Sequence, residues 1–243
     1  MDTTTYALGV LVAGFPAGSF RTNCYVVAPA AGGPCVVIDP GQHAVAPLDE
    51  ALARHSLTPV AVLLTHGHLD HTFSAGPVCA AHGVPAWIHP GDRGMLADPS
   101  TGMSAQANAV FSGRMPEGEP DDVRELVDGA DLELAGLTLH VEHTPGHTPG
   151  SVVFSGVTED GVEIVFSGDT LFAGSIGRTD LPGGDSAQLR SSLRTVFLPR
   201  ADETVVLPGH GAATTVGRER AANPYLQDLH EDTSVQMDRR IGQ

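Results

Sequence analysis

The stretch Thr65-His66-Gly67-His68-Leu69-Asp70-His71-Thr72 constrains this chain more than any other. The apolar run Val60-Ala61-Val62-Leu63-Leu64 precedes it and predicts a buried strand that stops at Thr65. Four groups able to bind metal then follow within six positions: His66, His68, Asp70 and His71. In an extended segment alternate residues point the same way, so His66 and His68 can share one metal. Asp70 and His71 are adjacent and point elsewhere, as a second metal requires. A lone histidine here would read as part of a solvated turn; His-x-His-x-Asp-His directly after an apolar strand reads as a ligand cluster.

The rest of the chain repeats one grammar. Strands are predicted over Tyr6–Ala13, Asn23–Ala28 and Pro34–Asp39, separated by turns at Pro16-Ala17-Gly18 and Ala31-Gly32-Gly33. Val45–His55 has helical spacing, and His71–His82 continues the first motif as a helix closed by Gly83. After the short strand Pro85–His89, periodicity fades from Pro90 to Pro120, a length that suggests a functional cover or a solvated loop. Its Met103, Phe111 and Met115 could pack on a flexible ligand. Strands resume at Arg124–Val127, Asp131–Leu134, Leu137–Glu142, Ser151–Val157 and Val162–Phe166. A helix over Ser186–Leu198, a strand over Thr204–Leu207 and two short helical pieces complete the reading. Three more strands lead into a ligand-type residue: His147, Asp169 and His210. Ligands at strand ends collect on one edge of a sheet, where an open site can form. No linker-like stretch divides the chain, so residues 1–243 read as one α/β domain.

The seven candidates, His66, His68, Asp70, His71, His147, Asp169 and His210, offer imidazole nitrogen and carboxylate oxygen without a thiolate. Zinc, iron(II) and manganese(II) all suit such a set. His143 reads equally as a support for His147 or as a packed residue. Cys24, Cys35 and Cys79 form no Cys-x-x-Cys pair and read as small hydrophobes in a reducing compartment. The chain has 13 basic and 29 acidic residues, net −16, a surface that repels phosphate backbones and argues against a nucleic-acid partner. No stretch has membrane-spanning length, and Tyr6–Phe15 lacks the basic flank of a signal peptide, so a cytoplasmic protein without a membrane partner is expected.

The motif Thr65–Thr72 resembles the signature of the metallo-β-lactamase superfamily of hydrolases and some oxidoreductases. The resemblance implies a four-layer αββα sandwich, two mixed sheets with helices outside. It also implies two divalent ions, zinc foremost with iron or manganese as options. His66, His68 and His147 would hold one ion and Asp70, His71 and His210 the other, with Asp169 between them. Asp70 and Asp169 would be catalytic through a hydroxide shared by the ions.

Further matches run from about Asn23 to Leu226. Ser167-Gly168-Asp169-Thr170-Leu171-Phe172, Gly174–Asp180, Gly183-Gly184-Asp185, Leu207–Gly211, Thr214–Arg220 and Asn223–Leu226 resemble the short, single-domain bacterial glyoxalase II type. That type hydrolyses S-acyl thiol esters such as S-lactoylglutathione. The larger enzymes of that group add a helical C-terminal domain, which only 33 residues after His210 cannot supply. Gly177-Arg178-Thr179-Asp180 also resembles the persulfide dioxygenases, in which one iron would sit on His66, His147 and Asp169; a lactonase is a third reading. The expected partner is a small acyl-thiol substrate, with Arg178 gripping a carboxylate or, alternatively, bridging to Asp180 or Asp185. The expected assembly is a monomer or small homo-oligomer.

Overall fold

The structure, a computed structural model, describes residues 4–7, 10–111 and 119–229. Two mixed sheets face each other. The first runs β1 (Thr4–Ala7), β2 (Leu11–Ala17), β3 (Thr22–Ala28), β4 (Pro34–Ile38), β5 (Thr58–Leu63), β6 (Ala86–Ile88) and β7 (Val123–Glu125) in spatial order. β1 to β4 pair antiparallel and β4 to β7 parallel. The change falls where helix α1 (Val45–His55) replaces the short turns, because parallel neighbours need a crossover connection. The second sheet is ordered β15 (Thr214–Thr215), β14 (Val205–Pro208), β11 (Glu163–Gly168), β10 (Val152–Val157), β9 (Leu137–His143), β8 (Asp131–Leu134). Only β11 and β14 pair parallel there. A small hairpin, β12 (Leu171–Phe172) with β13 (Ser175–Ile176), follows β11.

Strand alternation builds three apolar layers. In β3 and β4, Tyr25, Val27, Val36 and Ile38 face the second sheet, meeting Val141, Phe154, Phe166 and Leu207. Cys24, Val26, Cys35 and Val37 point the other way, onto α1 and α3 (Ala75–His82). Beyond the second sheet, Val153, Val165 and Val206 pack on Leu189, Leu193 and Phe197 of α6 (Ser186–Ser192) and its π-helical continuation, and on Val216 of α7 (Val216–Ala222). The result is the αββα sandwich the resemblance implies. Each large side chain so buried stabilises the fold by about 1.5–3 kcal/mol. That apolar interior anchors the strand ends that carry the polar residues.

Several boundaries depart from the sequence reading. The strand expected over Tyr6–Ala13 is two strands, with residues 8 and 9 outside those described, and β2 runs through Pro16 to Ala17 before turning at 18–21. The helix expected from His71 to His82 breaks into α2 (Leu69–Thr72) and α3. Ser74 causes the break: its N–H donates to Pro40 O at 2.9 Å and its Oγ to Gly41 O at 2.7 Å, tying the chain to the turn after β4. The stretch after Pro90 contains α4 (Arg93–Ala97), α5 (Ala105–Phe111) and two 3₁₀ turns, Pro90–Asp92 and Pro99–Gly102. Pieces of three to seven residues are too short to show a helical period. Met95 and Leu96 are buried there, whereas Met115 and the side chain of Phe111 lie outside the described residues. Among the described residues, no helix is long and apolar enough to cross a membrane. All three cysteines are free and buried, and burial pushes the Cys35 and Cys79 thiols up to about 12.

Candidate metal centre

The seven candidate ligands meet at one end of the sandwich. His66 and His68 leave the end of β5 in a bend, and Asp70 and His71 lie in α2 rather than in extended chain. His147 follows β9, Asp169 follows β11 and His210 follows β14. Ligand atoms of His66, His68 and His147 fall within 4.8 Å of one another, as do those of His66, His71 and Asp169, and those of Asp70, His71 and His210. Asp169 reaches both sides: Oδ1 is 3.3 Å from His71 Nε2, and Oδ2 is 3.5 Å from His147 Nε2 and 3.6 Å from His210 Nε2. Asp70 Oδ2 is 3.1 Å from His210 Nε2 and accepts from Thr22 Oγ1 at 3.0 Å.

Supporting groups fix which nitrogen each ring presents. Asp39 Oδ2 accepts from His71 Nδ1 at 2.9 Å. Asp39 also accepts from Thr65 N at 2.8 Å and Thr65 Oγ1 at 2.7 Å, so the Thr65 hydroxyl is left to accept from His66 Nδ1 at 3.1 Å. His147 Nδ1 donates to Arg178 O at 2.7 Å. Three Nε2 atoms are thereby directed inward. Among the described residues, His66 Nε2 is buried without any hydrogen-bond partner, and His68 Nδ1 faces His147 Nε2 at 2.9 Å. Buried imidazole nitrogens this close together, with His66 Nε2 left unpartnered, fit a bound divalent cation.

Charge follows the same division. Burial, then His71 and His147, holds His66 well below its ordinary range; burial, then His147, lowers His68 to about 3. Both are neutral imidazoles, as metal ligation requires. Burial works against charge on His71 too, yet Asp169, Asp70 and Asp39 outweigh it and raise its pKa. Burial also opposes ionisation of Asp70 and Asp169, but His71 and His210 keep both carboxylates below the usual range. The side of His71 opens to solvent: His210 and Asp70 side chains are 29% and 20% exposed, while His66 is 1% exposed. The His210 side is thus the more solvent-accessible one.

Arg178 lies at the rim. Its side chain is 61% exposed and forms a two-point ion pair with Asp180, Nε to Oδ1 and Nη2 to Oδ2 both at 2.7 Å. His143 stacks on His89 with centroids 4.1 Å apart, and its Nε2 bonds to Pro149 O at 2.8 Å in the loop that carries His147. Sequence reasoning missed Asp39 and Asp92. Asp39 ends β4 as the ligands end other strands, which was the available signal, although Asp39-Pro40-Gly41 reads first as a turn.

An αββα sandwich with two triads of candidate ligands, His66/His68/His147 and Asp70/His71/His210, beside the Asp169 carboxylate at a sheet edge defines a class of metal-binding proteins. The chain belongs to the metallo-β-lactamase superfamily, whose domain model matches residues 17–210. An uncharacterised protein of Mycobacterium leprae is 50% identical over 90% of this chain and 100% of its own. The hydroxyacylglutathione hydrolase GloC of Haemophilus influenzae is 35% identical over 87% of this chain and 95% of its own. Among solved structures, the B3 metallo-β-lactamase BLEG-1 is similar with TM-score 0.76 and 38% identity, covering 88% of this chain and 98% of that one. TTHA1623 in a di-iron-bound form is similar with TM-score 0.71 and 36% identity, covering 93% and 100%.

Proposed function

We propose that this chain is a binuclear metallohydrolase of small S-acyl thiol esters, of the glyoxalase II type. The carrying observation is the assembly of two triads around Asp169, closed on the His66 side and open on the His210 side. His66, His68 and His147 would hold one divalent ion, zinc foremost, and Asp70, His71 and His210 the other. Such ions lower the pKa of bound water toward about 7 and polarise a carbonyl. The chain's own part is to hold these groups: Asp39 and Thr65 orient His71 and His66, while Thr22 fixes the carboxylate of Asp70. The resemblance to GloC, 35% identical, supports a thioester as substrate. The net charge of −16 favours a small-molecule partner over a nucleic acid.

Elemental analysis of metal-replete protein should find close to two ions per chain. Chelation should abolish thioester hydrolysis, and added zinc, iron or manganese should restore it. Oxygen uptake with a persulfide, by protein carrying one iron and no thioesterase activity, would overturn this reading.

Arg178 is the proposed anchor for a substrate carboxylate. Exposed ion pairs contribute only about 0–1 kcal/mol, so a substrate can take the place of Asp180. A lost charge-assisted hydrogen bond costs roughly 1.5–3 kcal/mol, so Arg178→Ala should raise KM about tenfold or more for a carboxylate-bearing thioester. A neutral thioester should be nearly unaffected. Metal content should not change, because the bond from His147 runs to the backbone carbonyl. Equal loss on both substrates would mean that Arg178 merely holds its loop.

A further inference from the structure

We infer that Asp92 is a positioning residue that clamps together the two loops bearing His66, His68 and His147; the inference rests on the metal reading above. Asp92 is fully buried at the end of the 3₁₀ turn Pro90–Asp92, in a stretch whose sequence shows no ligand pattern. Among the described residues, its carboxylate accepts three hydrogen bonds. Oδ2 accepts from Gly67 N at 2.8 Å and from Thr148 Oγ1 at 2.6 Å, and Oδ1 accepts from Gly150 N at 2.6 Å. Gly67 lies between His66 and His68, and Thr148 follows His147 directly. One carboxylate thus joins the loop after β5 to the loop after β9. Among the described residues, none of these three bonds goes to a candidate ligand's side chain, so Asp92 acts through the backbone that carries them.

The surroundings are shaped for this contact. A Cβ on Gly67 would come within 3.0 Å of Asp92 Cβ, and one on Gly150 within 2.6 Å of Asp92 Cγ, so side chains at either position would push the carboxylate away. Ser151 Oγ, 2.6 Å from Thr148 Oγ1, completes the hydroxyl's bonding. A carboxylate this deep is costly unless its oxygens are hydrogen-bonded, and here the bonds span two loops rather than one. The second triad is held differently, through Asp39 on His71 and Thr22 on Asp70. Loss of Asp92 should therefore loosen the first triad and spare the second.

Asp92→Asn keeps the shape but turns an N–H₂ toward one of the backbone donors, replacing an attraction by a donor–donor contact. Zinc or cobalt(II) is titrated into metal-free full-length protein against a chromophoric chelator, with cobalt absorption recorded and His68→Ala as the reference lacking the first triad. Supports of metal ligands typically carry 10–100-fold in affinity. We expect Asp92→Asn to weaken, by about that factor, the same ion that His68→Ala loses, with the other ion little changed. Thr148→Val removes one of the three bonds and should shift that same ion by a smaller factor. It also decides the matter if Asp92→Asn does not fold. Parental affinity for both ions in Asp92→Asn or Thr148→Val, or equal weakening of both together with a lower Tm, would overturn the clamp. Parental protein that takes up no ion would overturn the metal reading itself, and the clamp with it.

Discussion

Asp169→Ala should lower thioester turnover by roughly 10³-fold while leaving a folded protein. The carboxylate sits within 3.3 to 3.6 Å of His71 in α2 and of His147 and His210, which follow β9 and β14. Burial opposes its charge, yet His71, His147 and His210 keep it ionised at neutral pH. Without it, the two triads lose their shared anion and two divalent ions would face each other with less neutralisation. A unit charge pair about 4 Å apart is worth about 4 kcal/mol at an effective dielectric near 20, or about 10³ in an equilibrium constant. The fold has little to lose, since Asp169 follows the apolar body of β11 and is outside the core layers. Elemental analysis, kcat and circular dichroism together test this. Parental kcat in a folded Asp169→Ala protein would rule out a shared carboxylate at the reacting centre.

The candidate ligands that the structure brings together were legible because their signal is local: a side-chain type placed just past the end of an apolar strand. His147, Asp169 and His210 are found that way even though they lie far apart in sequence. The supporting residues were not legible, because their roles exist only across loops. Asp39 looks like a strand stop in Asp39-Pro40-Gly41, and its bonds to Thr65 and His71 depend on β4 lying beside β5. Asp92 sits in Pro90-Gly91-Asp92, where short turns erase periodicity, and its partners are 25 to 58 residues away. The break between α2 and α3 was hidden for the same reason, since Ser74 leaves the helix to bond Pro40 and Gly41. In the fold, the mixed sheets were implied by the family resemblance alone, since strand pairing has no local signal, and the hairpin of β12 and β13 is too short for any alternating pattern.

Gly209→Ala should cost catalysis far more than stability, because the space beside Gly209 is filled by the site itself. A Cβ there would lie 2.4 Å from Asp169 Oδ1 and 2.6 Å from His71 Cε1. Contacts that short force something to move, and the backbone cannot. Gly209 N donates to Gly168 O at 2.8 Å, and Gly209 O accepts from Asn23 N at 2.7 Å, so both faces of the residue are pinned between β3 and the end of β11. Asp169 and His71 must shift instead. A misplacement near 1 Å can cost about 10²-fold in rate, and that is the loss expected in kcat. Overpacking costs about 1–3 kcal/mol, which lowers Tm by about 2–12 °C at this chain length. Gly211→Ala is the informative comparison. Its φ is +79°, so alanine is strained there by about 1–2 kcal/mol, but a Cβ meets nothing within 4 Å. Gly211→Ala should thus lose similar stability and keep most of its turnover. If the two variants lose activity in proportion to their Tm, the crowding of Asp169 and His71 is not what limits the enzyme. If Gly209→Ala alone is inactive and its metal content falls, the glycine is there to leave room for the ligands.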